Sequence, residues 1–209
     1  MILLTGFEPF DGAASNPSID AATTAARALV SEGIPAVAEQ LPCVFAEAPG
    51  ALARAIERHR PDVVVCVGLA AGRRVVSLER VAINVLDARI PDNAGEVPVD
   101  RPVVEGAPAA YFTTLPIKRT LAALSAAGID AEVSQTAGTY VCNQVFYALM
   151  HQAAGHGRRI RGGFVHVPTI APDGGTGPTG ADLACALRLV AVEALNPAPD
   201  ALLAGGAES

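Results

Sequence analysis

The sequence predicts a single-domain, three-layer α/β/α sandwich built around a largely parallel, twisted sheet. Three observations point there. Continuous β-branched runs such as "DVVVCVG" have the composition of strands buried on both faces. Such runs alternate with apolar-periodic segments of helical length, the pattern of crossover-connected strands. The chain has 209 residues, enough for one well-buried domain and short for two. One domain is expected over residues 1–197, with residues 198–209, "APDALLAGGAES", as a flexible C-terminal tail.

Taken in order, "MILLTG" reads as a short strand, followed by a Gly/Pro/Asn-rich loop and a helix over "IDAATTAARALVSEG" that Gly33 ends. "AVAEQLP" is a strand, "EAPGALARAIERH" a helix and "DVVVCVG" the fully buried strand. "VVSLERVAINV" supplies one or two further strands. A long loop leads to the helix "TLPIKRTLAALSAAG", then the strand "AEVSQ" and a helix from Cys142 to about Gly155. "IRGGFVHVP" is the next strand and "ADLACALRLVAVEAL" the last helix. Long loops after strands are where such sheets place their sites.

Composition excludes several functions. The net charge is −6 and the basic residues are scattered, which argues against nucleic acid and anionic membrane surfaces as partners. The lone lysine, Lys118, lies in a predicted helix, so Schiff-base and phosphate-loop chemistry have little support. No apolar run approaches the roughly 20 residues of a membrane helix, and "MILLTGFEPFDG" lacks the features of a secretory signal. A soluble, cytoplasmic protein is expected. Cys43, Cys66, Cys142 and Cys185 form no Cys-x-x-Cys pair, so neither a zinc site nor a disulfide framework is indicated. Cys66 and Cys185 read as small buried hydrophobes.

Cys142 differs because it opens a helix after the small-residue stretch "TAGTY". A helix N-terminus favours a thiolate and offers free N–H groups to an oxyanion, so a nucleophile and a packing residue both remain open at this position. A thiol nucleophile needs a base. His59, His151 and His156 sit at predicted helix ends, where a solvated cation is the simpler reading. His166 alone lies in an apolar strand, at the end that opens into a loop. For a carboxylate to orient it, Glu79 in "VVSLERVAIN" is the half-buried candidate, against a strand-edge charge paired with Arg80. Asp87 and Asp92 compete from loop-like sequence.

These stretches together resemble the pyroglutamyl peptidase I (pyrrolidone carboxylate peptidase) family of cysteine peptidases. The resemblance runs through "LLTGFEPFDG", "GLAAGRRVVSLERVAIN", "ARIPDN", "VSQTAGTYVCN" and "RGGFVHVP", in order over most of residues 1–170. It implies a Glu79–Cys142–His166 triad and removal of N-terminal pyroglutamate from peptides, with no metal or cofactor. It further implies Arg89 as a charged oxyanion donor, against a structural pair with Asp87 or Asp92. Phe7, Phe10, Tyr140 and Val141 match the family's substrate pocket, and a homo-oligomer (dimer or tetramer) is implied by analogy.

The pattern is broken at two pocket positions. Relatives commonly carry glutamine where this chain has Leu69 and threonine where it has Cys43, so lactam recognition is the less secure part of the resemblance. "GTGPTG" (175–180) fits a dinucleotide fingerprint but contains proline and completes no further unit, and the 171–180 stretch reads better as a loop beside the site. The rival readings are a binding or altered-specificity relative with weakened lactam recognition and a nucleoside-phosphorylase-like transferase.

Overall fold

The computed structural model describes residues 1–155, 160–171 and 177–206. His156 and residues 172–176 of the glycine-rich 171–180 stretch lie outside them. Strand β1 (Ile2–Phe7), helix α1 (Pro17–Ser31), β2 (Ala36–Leu41), α2 (Ala48–His59) and β3 (Val63–Leu69) form the first half. The second contains β4 (Val76–Glu79), β5 (Val81–Ile83), β6 (Ala110–Phe112), α3 (Ile117–Ala126), β7 (Ala131–Ser134), α4 (Val141–Gly155), β8 (Arg161–Val167) and α5 (Gly180–Leu195).

The main sheet has the order β2-β1-β3-β8-β4-β7. Every pairing is parallel except that between β8 and β4, so direction reverses once, inside the sheet. The expected layers are present. Ile2, Leu4, Val63, Val65, Val67, Val165 and Val167 face α1, α3 and α5, while Leu3, Val64, Cys66 and Phe164 face α2 and α4. Alternation along each strand produces this division, and burial on both faces explains why β3, "VVVCVGL", has no polar side chain.

The run "VVSLERVAINV" splits between two sheets. β4 joins the main sheet, while β5 pairs with β6 in a separate antiparallel ribbon. β6 is three residues long, and nothing in its sequence announced it. Asn16 caps α1, its side chain accepting from Ser18 N at 3.1 Å, and Ser18 Oγ in turn accepts from Phe7 N at 3.0 Å. The loop after β1 is thereby pinned close to the sheet. A Cβ on Gly6 would stand 2.4 Å from the Ile19 backbone, so only glycine permits this approach of helix to strand.

The stretch after α5, expected from sequence to loosen into a tail, makes specific contacts as far as Gly205. The Asp200 carboxylate accepts from Lys118 N at 3.1 Å and Arg119 N at 2.8 Å, capping α3 from outside its own sequence. The Arg119 guanidinium reaches the carbonyls of Glu193, Asn196, Ala198 and Pro199, and Gly205 O accepts from Arg80 at 3.1 Å. Among the described residues no helix is long and apolar enough to cross a membrane. Asp200→Ala removes the cap of α3 and should cost about 1 kcal/mol in urea unfolding, with little effect on the distant chemistry described below.

Candidate active site

At the C-terminal end of β8, His166 is 5% exposed and paired in register with Gly68 of β3. Its Nδ1 lies 2.7 Å from Glu79 Oε1, and the Glu79 side chain is completely buried. The antiparallel register pairs Ser77 with His166 and Leu78 with Val165. Glu79 is therefore a diagonal neighbour of His166 on one face, within reach of a long side chain. An anionic carboxylate only accepts, so Nδ1 carries the proton and Nε2 is left as the basic nitrogen.

Cys142 is the second residue of α4, as expected. A Cβ built on Gly68 would stand 2.7 Å from Cys142 Sγ and 2.8 Å from Phe164 Cζ. The sulfur thus rests over the bare backbone of the residue beside His166, roughly 5 Å away across the ladder. Phe164 closes the floor, its ring 4.8 Å from the imidazole. The thiol, imidazole and carboxylate come together at one end of the sheet.

The helix start is held by the residues that follow the cysteine. Asn143, wholly buried, accepts from Ile83 N at 3.0 Å and donates to Ile83 O at 2.9 Å and Val85 O at 3.0 Å. Gln144 donates to Phe45 O at 3.0 Å. Sequence reasoning passed over both, although two amides immediately after a nucleophile candidate in an apolar helix were a readable signal of buried backbone partners.

Arg73 was also missed. Its Nη1 donates to Glu79 Oε1 at 2.6 Å and its Nη2 to Thr136 O at 2.8 Å. The pairing of Glu79 with Arg80 does not occur, since Arg80 turns to Gly205. Adjacent residues of an extended chain point to opposite sides, so Arg80 was poorly placed for it.

The competing acids have other tasks. Asp92 is buried and accepts from the N–H groups of Phe45, Ala94 and Glu96, which folds its own loop. Asp87 is exposed, and its backbone exchanges hydrogen bonds with Thr139. His59 is bound to Glu39 at 2.6 Å rather than free in solvent, and together with Arg58 it holds the Glu39 carboxyl below its ordinary range. His151 is bonded to the Tyr111 hydroxyl at 2.9 Å and stacked on Tyr147, so it too is a packed residue.

Arg89 is exposed and lines a cleft of about 720 Å³ together with Asp87, Ile90, Thr139 and Tyr140. Tyr140 meets Phe45 edge-on at 5.1 Å and Phe10 at 6.3 Å. Phe7 is 2% exposed and packs on Phe164 from within the core. Val141 and Cys43 are buried. Leu69 pairs with Val167, and alternation turns its side chain away from the face that bears His166.

The helix N-terminus was expected to lower the Cys142 thiol. Burial instead pushes it up, helped by Cys43 and Glu79 and opposed by Arg73. Removal from water opposes the partial charge of the helix end. Burial likewise raises Cys43 to about 11 and Cys66 to about 12.

A doubly covered sheet with thiol, imidazole and buried carboxylate at the C-terminal ends of its strands has the parts of a thiol-dependent hydrolase. The chain belongs to the pyroglutamyl peptidase family, whose model matches residues 1–196. It is 49% identical over 211 aligned positions to the pyrrolidone-carboxylate peptidase of Klebsiella pneumoniae, covering 99% of this chain and 98% of that one. It is 54% identical to pyrrolidone-carboxylate peptidase 1 of Ralstonia nicotianae, covering 81% and 78%. The crystal structure of pyroglutamyl peptidase I from Bacillus amyloliquefaciens superposes with a TM-score of 0.90 at 43% identity, covering 97% and 98%.

Gly68→Ala drives a methyl group into Cys142 Sγ and Phe164; we expect a stability loss of about 1–3 kcal/mol in urea and loss of Cys142 reactivity toward iodoacetamide. The raised thiols make a second, independent prediction. Thiols of the unfolded chain lose protons from about pH 8.5, whereas those of the folded chain hold them to higher pH. The unfolded state then binds fewer protons, so stability declines as pH rises above about 8.5 and is unaffected by these groups below it. Each pH unit in that window costs about 1.4 kcal/mol for a fully buried thiol such as Cys66, and Cys66→Ala should flatten the decline by that slope.

Proposed function

We propose that the protein is a cysteine exopeptidase that removes N-terminal pyroglutamate (5-oxoproline) from peptides, with Cys142 as nucleophile, His166 as base and then acid, and Glu79 as the orienting carboxylate. The observation that carries this reading is the Nδ1 bond of His166 to a fully buried Glu79, which leaves Nε2 as the basic nitrogen at the end of the sheet where the Cys142 sulfur rests over Gly68, the register partner of His166.

As the Cys142 sulfur attacks the carbonyl joining the lactam residue to the next amino acid, its proton passes to His166 Nε2. The imidazolium formed is stabilised by Glu79, and the oxyanion by N–H groups of the first turn of α4, with Arg89 as a charged donor from the cleft. His166 then gives its proton to the departing amine, leaving a thioester. Water, deprotonated by the same imidazole, releases free 5-oxoproline and restores the thiol.

Phe10, Tyr140, Val141, Phe7, Leu69 and Cys43 make up the lactam end of the site, by direct contact or as its backing. Such a predominantly apolar wall rejects an ordinary N-terminus, because a charged ammonium would be stripped of water without a partner. Leu69 and Cys43 act through backbone and shape, since the Leu69 side chain turns to the other face and Cys43 is nearly inaccessible. Free thiols at Cys43, Cys66, Cys142 and Cys185 suit a reducing, cytoplasmic setting. A homo-oligomer remains part of this reading, by analogy with relatives.

The wild type should hydrolyse a chromogenic pyroglutamyl amide and leave the alanyl amide uncleaved. Iodoacetamide should abolish turnover, and Cys142→Ser should lower kcat by at least about a thousandfold with the fold intact by circular dichroism. Activity surviving in Cys142→Ser rejects the nucleophile. Binding of 5-oxoproline without hydrolysis favours the binding relative. Glu79→Gln, which keeps the shape but not the charge, should cost at least about a hundredfold in kcat with a smaller change in KM.

A further inference from the structure

We propose that Arg73 is a positioning residue of this site, whose guanidinium fixes the Glu79 carboxylate and sets the pH range over which Cys142 and His166 work as a pair. The inference rests on the function proposed above and adds a fourth residue to it.

Glu79 Oε1 accepts two hydrogen bonds, from His166 Nδ1 at 2.7 Å and from Arg73 Nη1 at 2.6 Å. Glu79 Oε2 is buried and has no partner among the described residues. The orientation of this carboxylate is therefore set at one oxygen, by one catalytic partner and one arginine. Arg73 also holds the chain ahead of α4, through Nη2 to Thr136 O at 2.8 Å. One planar group thus ties the acid on β4 to the segment that delivers Cys142, a link lysine cannot reproduce because it lacks the fork.

The charge has its own effect. The cation fixed against Glu79 favours the thiolate of Cys142. Among the described residues, the other ionisable groups near this cluster have partners or are neutral: Tyr140, beside Cys43 and Cys142, donates from its hydroxyl to Pro91 O at 3.0 Å. On β7, Glu132 is engaged by Ser77 Oγ at 2.8 Å, Arg80 is turned to Gly205, and the thiols of Cys66 on β3 and Cys43 after β2 are protonated. Among the described residues Arg73 is the cation bonded to Glu79. Removing it raises the pH at which Cys142 gives up its proton, so the reactive range of the thiol moves upward.

The test compares wild type, R73Q and R73K by two readouts: the pH profile of kcat/KM on a pyroglutamyl amide and the pH profile of Cys142 alkylation by iodoacetamide. For R73Q we expect both profiles to move up by about one pH unit and alkylation at pH 7.5 to slow about tenfold. For R73K we expect the wild-type profile position but about tenfold lower kcat at similar KM, because one of two bonds is kept. R73Q profiles that stay in place, or R73K with undiminished kcat, overturn the proposal. If R73Q does not fold, R73K decides alone, and an upward-shifted R73K profile also counts against it. Alkylation needs no substrate, so a wild type inactive on the amide defeats the functional reading while the role of Arg73 is still measured.

Discussion

A carboxylate without water has to find its compensation in the protein, and Glu79 is fully buried. Two donors converge on its Oε1, and each recruits a different part of the chain. The His166 bond draws β4 against β8, and the Arg73 bond draws in the loop after β3 and, through Thr136, the approach to α4. Breaking either link leaves an uncompensated charge in the interior, which is why buried pairs are costly to break even when they add little net stability. Local architecture and chemistry are joined at this point. The interaction that makes burial of Glu79 tolerable also fixes the tautomer of His166.

The single reversal of strand direction explains how so short a strand can supply the acid. β4 has only four residues and runs antiparallel to β8. Glu79, at its C-terminal end, is therefore carried back alongside the body of β8, next to His166 rather than beyond it. On the other flank β3 runs parallel to β8, and its Gly68 lies level with His166. A side chain there would occupy the volume of the sulfur. Helix α4 can seat Cys142 against the sheet only because that position is empty, and Asn143 and Gln144 keep the helix in that seat through bonds to β5 and Phe45.

Much of this was legible in residue order. A β-branched run identified β3, because a strand covered on both faces has no polar side to present, and the largely apolar "GGFVHVP" identified β8. Cys142 stood at an element boundary, and His166 was the histidine within a strand. Pairing across space was harder to read. Glu79 was read as a half-buried acid, with Arg80 as the alternative partner, whereas its cation comes from Arg73 in the preceding loop. The division of "VVSLERVAINV" between two sheets was invisible for the same reason: β6, the partner that claims β5, begins 27 residues after β5 ends and is only three residues long. The contacts of residues 198–205 were hidden because a Pro/Ala/Gly-rich tail offers no periodic apolar face. Its anchorage comes from one carboxylate and several carbonyls that meet Arg119 and Arg80.

The state of the thiol shows how opposing influences settle. The helix end and Arg73 favour thiolate; burial, Glu79 and the neighbouring thiol of Cys43 oppose it, and they prevail. In the proposed mechanism sulfur becomes nucleophilic when His166 removes its proton, with Glu79 bonded to the other nitrogen and placed to stabilise the cation. Charge then develops along the line only as the bond to carbon forms.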